Sequence, residues 1–350
     1  MKRIVIPIML LSLTFLLPAS IFAQGEAAAE FLLISPGARA GGMGEANVAI
    51  ANDATAAYWN PAGLAGLEKR EFTIMHAKWL PQFNLDDIYY DFASYVHKWE
   101  GLGTFGLSAT YLSLGEQVRT SERGDELGRF SSYNLALAGS YGTKLNDKLA
   151  IGLTLKYIYL KLADFGAGEE KGKGTGYSVA ADFGVLYKSP WTNRLTFGAN
   201  LSNMGPKISF IDASQADPIP TNLKFGAAYK LLDGEYNELT FTFDVNKLLV
   251  VKHEDGSSDS FYKAMFSSWT DEYQGTLKRL SSSIGAEYWY NHIFALRTGY
   301  FYEDIGKRRF LTFGAGLRFS IYGFDFGYIS ADKEGSPLAD TMRFSLSFRF

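Results

Sequence analysis

LAIGLTLKYIY, Leu149 to Tyr159, reads as two interleaved sequences. Leu149, Ile151, Leu153, Leu155, Tyr157 and Tyr159 fall on one parity, and Ala150, Gly152, Thr154 and Lys156 on the other. Successive side chains of an extended strand point to opposite faces, so strict alternation over this length predicts a strand with one apolar face. The pattern recurs from Tyr177 to Tyr187, Leu195 to Leu201, Leu223 to Leu231, Leu239 to Val245, Phe294 to Tyr302, Leu311 to Phe319 and Phe324 to Tyr328. It ends the chain as Met342, Phe344, Leu346, Phe348 and Phe350. Upstream, Phe72, Ile74 and the run from Met75 to Leu80 make a first strand, and Ile88 to Trp99 a second. The count is about fourteen strands, each near the 9 to 11 residues of a tilted membrane-spanning strand.

Soluble sandwiches also alternate, so the companion face and the connections decide. The companion face carries small polar residues and charges: Lys156, Asp244, Arg297, Arg318, Asp325, Arg343 and Arg349. A charge facing lipid costs about 2 to 4 kcal/mol at the midplane, whereas one facing a wet lumen costs little. Here the charges avoid the aromatic parity. Short turns, near Glu100 to Gly103, Lys144 to Asp147, Ser189 to Asn193, Leu232 to Asn237, Asn291 and Ser320 to Tyr322, alternate with longer polar loops. The longer set is Gly115 to Arg129, Asp164 to Gly174, Met204 to Pro220, Lys247 to Arg279, Glu303 to Arg308 and Ala331 to Asp340. That sorting of loops by side is expected of an all-β, antiparallel transmembrane barrel of the bacterial outer membrane, with lipid as its surroundings.

Such a barrel is too wide for its own side chains to fill, because about eight strands is the filled limit. The segment Phe31 to Leu67, FLLISPGARAGGMGEANVAIANDATAAYWNPAGLAGL, matches nothing after it. Its glycines and prolines allow only short helical turns and bends. We expect it to be a plug inside the lumen, entering from the periplasm, with Arg39 and Glu45 anchored to charges such as Asp244, Asp325 or Arg343. The organisation is then a signal peptide over 1–23, a plug over 24–68 and the barrel over 69–350. The leader is read from Lys2 and Arg3 before an uncharged run from Ile4 to Leu17, too short to span a bilayer as a helix. The chain has no cysteine and a net charge of −3, which argues against a nucleic-acid partner.

Ser35, Pro36, Arg39, Gly41, Gly42, Met43, Gly44 and Glu45, followed by Asn60, Pro61 and Ala62, resemble the N-terminal segment of the PorV/PorQ family. These are outer-membrane barrels of the type IX secretion system, related in architecture to FadL-like transporters. The resemblance implies a non-enzymatic, monomeric barrel without cofactor. It further implies recognition of the C-terminal domain of secreted cargo, which passes to the cell-surface attachment components. An alternative implied by the FadL likeness is transport of a hydrophobic small molecule, with the plug as gate. For a partner surface, Phe261, Met265, Phe266, Trp269 and Tyr273 fall on one stripe of a short helix in the loop from Lys247 to Arg279, either for docking or as a cap over the barrel. His76, His97, His253 and His292 have neither metal-ligand nor triad spacing. Gly41 to Asn47 lacks the last glycine and the βαβ setting of a nucleotide loop.

Overall fold

A computed structural model of the chain describes residues 27–121, 123–163, 174–210, 215–253, 255–270, 280–331 and 336–350. The leader, most of the loop Asp164 to Gly174, and Tyr273 lie outside the described residues. Among those described are fourteen strands: β1 (Glu71–Lys78), β2 (Ile88–Trp99), β3 (Gly103–Thr120), β4 (Glu126–Lys144), β5 (Leu149–Lys161), β6 (Thr175–Lys188) and β7 (Leu195–Met204) form one half. The other half is β8 (Asn222–Asp233), β9 (Asn237–Leu248), β10 (Leu280–Tyr290), β11 (Phe294–Glu303), β12 (Arg308–Phe319), β13 (Tyr322–Ser330) and β14 (Met342–Arg349). Each strand pairs antiparallel with its neighbours in sequence. The sheet closes where β1 meets β14, from Glu71 opposite Arg349 to Ala77 opposite Arg343.

The apolar parity faces outward. Leu155 is 62% exposed and Phe313 49%, while Thr154, Asp182, Asp244 and Arg297 on the companion parity are buried. Aromatic rings mark both ends of the apolar band. Tyr89, Tyr111, Tyr133 and Tyr159 make a row across β2 to β5 near the long-loop end, with ring centres 6.0, 5.5 and 6.0 Å apart. Trp99, Phe105 and Tyr141 form a second row near the short turns, at 4.7 and 4.9 Å. Amphipathic rings at both interfaces, with aliphatic side chains between, are the girdles of an outer-membrane barrel.

The loops sort by side as expected, with connections of two to six residues at one end and four to 31 at the other. Two differ from the expectation. Gly115 to Arg129 is a continued hairpin, with β3 and β4 joined only by residues 121–125 after register shifts at Ser113/Glu116 and Arg119/Thr120. Above the hydrocarbon a strand needs no apolar face, and Arg129 pairs across the ladder with Glu116 at 2.8 Å. Glu303 to Arg308 is likewise a tight turn over residues 304–307, closed by the Arg308–Glu303 pair at 2.5 Å. The first strand ends at Lys78 rather than Leu80, where Leu80 turns left-handed at φ 52°.

Leu155→Arg is expected to lower the unfolding free energy in bilayers by about 2 to 4 kcal/mol, as for other cations near the midplane. The same change at the loop residue Phe266 should stay within about 0.5 kcal/mol. Denaturant unfolding followed by heat-modifiable gel mobility reads both.

Candidate functional site

The chain before β1 is built from glycine-permitted bends and single helical turns: α1 (Ala38–Gly41), α2 (Ala56–Trp59) and a 3-10 turn over Pro61–Gly66. Asn60 leaves the helical region after α2, and its side-chain oxygen caps the next turn by accepting from the Ala62 N–H at 3.2 Å. Its amide nitrogen donates to the carbonyls of Val48 and, on β6, Val185, both at 3.0 Å. The Trp59 indole N–H donates to the Pro36 carbonyl at 3.1 Å, folding the segment on itself. Ala28 donates to Pro218 at the long-loop end, whereas Arg70 pairs with Phe350 at the short-turn end. The segment therefore passes from the long-loop end to the short-turn end. An entrance from the periplasm was expected; only its exit into β1 lies there, because β1 starts at that end.

Its contacts fall on every strand, on the face opposite the exposed aromatic one. Ten of them are glycines on inward positions: Gly106, Gly142, Gly152, Gly184, Gly198, Gly226, Gly285, Gly299, Gly314 and Gly327. A Cβ at Gly142 would stand 2.5 Å from the Pro61 oxygen, and one at Gly152, Gly198 or Gly299 would collide with the backbone of Pro61, Val48 or Met43 and Gly44. Glycine meets glycine as well, since a Cβ on Gly42 would come within 2.9 Å of the Gly314 Cα. Gly44 needs its lack of side chain twice, with φ +65° and a Cβ position 2.6 Å from the Tyr300 nitrogen. The remaining strands contribute acceptors and donors. Met75 and Ser345 accept from the backbone N–H groups of Gly37 and Ala38 at 3.0 and 2.9 Å, and Ser94 donates to the Ala54 carbonyl at 2.8 Å. On β9, Asp244 accepts from the Asn47 and Val48 N–H groups at 2.7 and 2.9 Å.

Ion pairs complete the fit. Glu45, in the left-handed region at φ 66°, is held by Arg343 at 2.7 Å and by Ser35 at 2.9 Å. Arg39 reaches Glu287 at 2.6 Å and Asp53 at 3.0 Å. Glu287 also binds Arg297, which shares Asp325 with Arg318. Of the expected anchors, Arg343 does meet Glu45. Asp244 instead takes backbone donors, and Asp325 is occupied by two wall arginines, so Arg39 shares Glu287 with Arg297. Sequence reading missed the glycine ring. Its trace was an inward-parity glycine on ten of the fourteen strands, visible in Gly142, Gly152 and Gly184, which lie on consecutive strands in register.

At the long-loop end the expected stripe is only partly a helix, α3 (Phe261–Ser267). Ala264 and Ser268 are its buried contacts, Phe261 and Met265 are half-buried, and Phe266 is 79% exposed with Trp269 beside it at 43%. Among the described residues of the stripe, Ala264 and Ser268, one turn apart, take the buried contact, which leaves Phe266 outward and Trp269 half-open over Lys247 at 4.9 Å. Asp259 anchors the helix, accepting from Lys263, Ser267 and His253 at 2.8, 2.7 and 2.9 Å. Burial pushes its carboxyl up, but these bonds outweigh it and hold the pKa down to about 2. A lowered folded pKa stabilises fully above the unfolded value of about 3.9 and is lost as pH falls towards 2. The anchor thus stays ionised at neutral pH. Between these loops and the N-terminal segment lies a cavity of about 610 Å³.

A model of the type IX secretion system protein PorV matches residues 24–255. The chain belongs to the PorV family. It is thereby a type IX secretion outer-membrane protein. No curated protein was found to match it in sequence. Among solved structures, the Ralstonia pickettii toluene transporter TbuX is 16% identical, with TM-score 0.53 over 91% of this chain and 100% of that one. The Pseudomonas putida toluene transporter TodX is 13% identical, with TM-score 0.53 over 90% and 99%. The monoaromatic hydrocarbon channel CymD is 14% identical, with TM-score 0.52 over 91% and 98%. At these identities the likeness is one of fold, a FadL-like barrel.

Glu287→Ala removes the carboxylate that Arg39 and Arg297 share, leaving each with one acid, Asp53 and Asp325, and should cost about 3 kcal/mol, the low end for a broken buried pair. Gly299→Val should push Met43 and Gly44 off β11. In both variants limited proteolysis is expected to cut between Phe31 and Leu67, where the unaltered protein resists.

Proposed function

We propose that this PorV-family barrel is a carrier, monomeric in the outer membrane, that binds the C-terminal domain of secreted proteins at its long-loop end and hands them to surface-attachment components. The observation that supports this reading is the fit of the N-terminal segment against all fourteen strands, which we read as a plug. A lumen filled by ten glycine contacts and buried ion pairs leaves no route for a folded cargo, so the work falls to the outer loops. There α3 presents Tyr262 and Phe266 to the outside, with Trp269 just past its end resting one ring face over Lys247, and large exposed aromatics are the side chains that anchor protein partners.

A second reading is transport of a hydrophobic small molecule with the plug as gate, and the cavity beneath the loops favours it. Asn60 and Pro61 would then sit at the moving part. The bonds of the Asn60 side chain to Val48, Val185 and Ala62 favour a fixed helix stop and cap instead.

Deleting the gene should leave proteins with the shared C-terminal domain in the periplasm, read by fractionation and immunoblotting. Normal secretion in the deletion strain would remove the carrier reading. Phe266→Asp with Trp269→Ser should weaken capture of that domain at least about tenfold while leaving barrel stability unchanged, since hot-spot aromatics are worth about 2 kcal/mol or more each.

A further inference from the structure

The short-turn end of the barrel carries its charges unevenly. Lys230 pairs there with Glu238 at 3.2 Å, Arg318 with Asp325 at 2.7 Å and Arg349 with Glu71 at 2.8 Å. Across β4 to β7 the pairing stops. Lys144, Lys148, Lys188 and Arg194 are all exposed, and among the described residues none of their side chains makes an ion pair or a hydrogen bond. The turns that join these strands, residues 145–148 and 189–194, contain one carboxylate, Asp147, and it pairs with none of the four.

The backbone beneath these open side chains is held in place. Asn146 accepts from the Lys148 and Leu149 N–H groups at 2.9 Å, and the Ser189 hydroxyl from the Trp191 N–H at 3.2 Å. The Lys188 N–H donates to the Lys148 carbonyl at 2.8 Å, which ties one turn to the other, and Lys230 donates to Arg194 at 2.9 Å, which ties them to β8. Trp191, between Lys188 and Arg194 in the chain, is 83% exposed, more than any other large apolar side chain among the described residues.

Parity and width narrow the occupant. Lys144 and Lys188 share the parity of Gly142 and Gly184, and Lys148 and Arg194 continue that of Gly152 and Gly198, the glycines that receive the N-terminal segment. The cations therefore border the mouth of the barrel rather than its lipid side, which argues against phospholipid headgroups. Three strand spacings set the patch about 14 Å across, too wide for one phosphate or carboxylate. An extended polypeptide places alternate side chains about 6.6 Å apart on one face, so acids at every second position reach successive cations. The exposed indole adds a contact of the kind that anchors protein partners.

We propose that this face docks an acidic, extended segment of a periplasmic protein, with carboxylates on Lys144, Lys148, Lys188 and Arg194 and an apolar side chain against Trp191. Exposed ion pairs are individually weak, so the set of four, not any single cation, selects the partner. The proposal is independent of the carrier reading, which uses the opposite end of the barrel.

The test titrates the full barrel in phosphatidylcholine nanodiscs with a decapeptide of alternating glutamate and threonine, one central threonine replaced by leucine, and with its glutamine counterpart. The glutamate peptide should bind at least about tenfold tighter, and the preference should shrink as salt screens the charges. Changing Lys144, Lys148, Lys188 and Arg194 together to Gln should abolish it, whereas Lys307→Gln at the other end should leave it intact. Should the fourfold variant lose thermal stability, Lys188→Gln with Arg194→Gln alone should still reduce the preference at least about threefold. Equal binding of the two peptides, or a preference that survives these changes, overturns the assignment. So does retention of phosphatidylglycerol, or of an anionic muropeptide, through the same four residues without peptide binding, because the occupant would then be lipid or cell-wall glycan. None of these results bears on secretion in a deletion strain, so this assignment and the carrier reading fail separately.

Discussion

A strand in hydrocarbon has no water for its N–H and C=O groups, so every one of them must find a partner in the next strand. The pairing of β1 with β14 satisfies that demand, and most else follows from it. Closure at fourteen strands makes a ring too wide for inward side chains to fill. Water or polypeptide has to take up the space, and here the N-terminal segment meets the inward face of every strand.

Filling a barrel with backbone imposes a further condition on the wall. A Cβ at the inward positions of β4, β5 or β11 would occupy the place of Pro61, Met43 or Gly44, so those positions are glycine. The same contact brings backbone N–H groups up against the wall, where Asp244, Ser345 and Thr312 accept them. Charges brought into this interior are paired in chains, Asp53 to Arg39 to Glu287 to Arg297 to Asp325, because a lone ion there would be far more expensive than a shared one. The interior is therefore specified twice, by shape through the glycines and by charge through the ion pairs.

How far the site could be read in advance differs from part to part. The motif Ser35 to Glu45 was conspicuous because its composition breaks with the strands around it. That Glu45 would meet Arg343 could be anticipated from opposite charge alone. That Arg39 would choose Glu287 could not, since Asp244, Asp325 and Glu287 share one inward parity and only the path of the segment separates them. Helix α3 shows the opposite failure. Spacing placed Phe261, Met265, Phe266 and Trp269 together, but a seven-residue helix buries what its short contact allows, and Ala264 and Ser268 won that contact.

The sequence by itself determined the barrel, its lipid-facing side and the sorting of its loops, because a period of two, aromatic parity and charge exclusion are local properties that survive in a one-dimensional string. Tertiary structure alone decided the direction of the N-terminal segment, the glycine ring that receives it, the choice among carboxylates and the cavity above it. These depend on which residues from distant strands meet across the lumen, a distance that no spacing along the chain encodes.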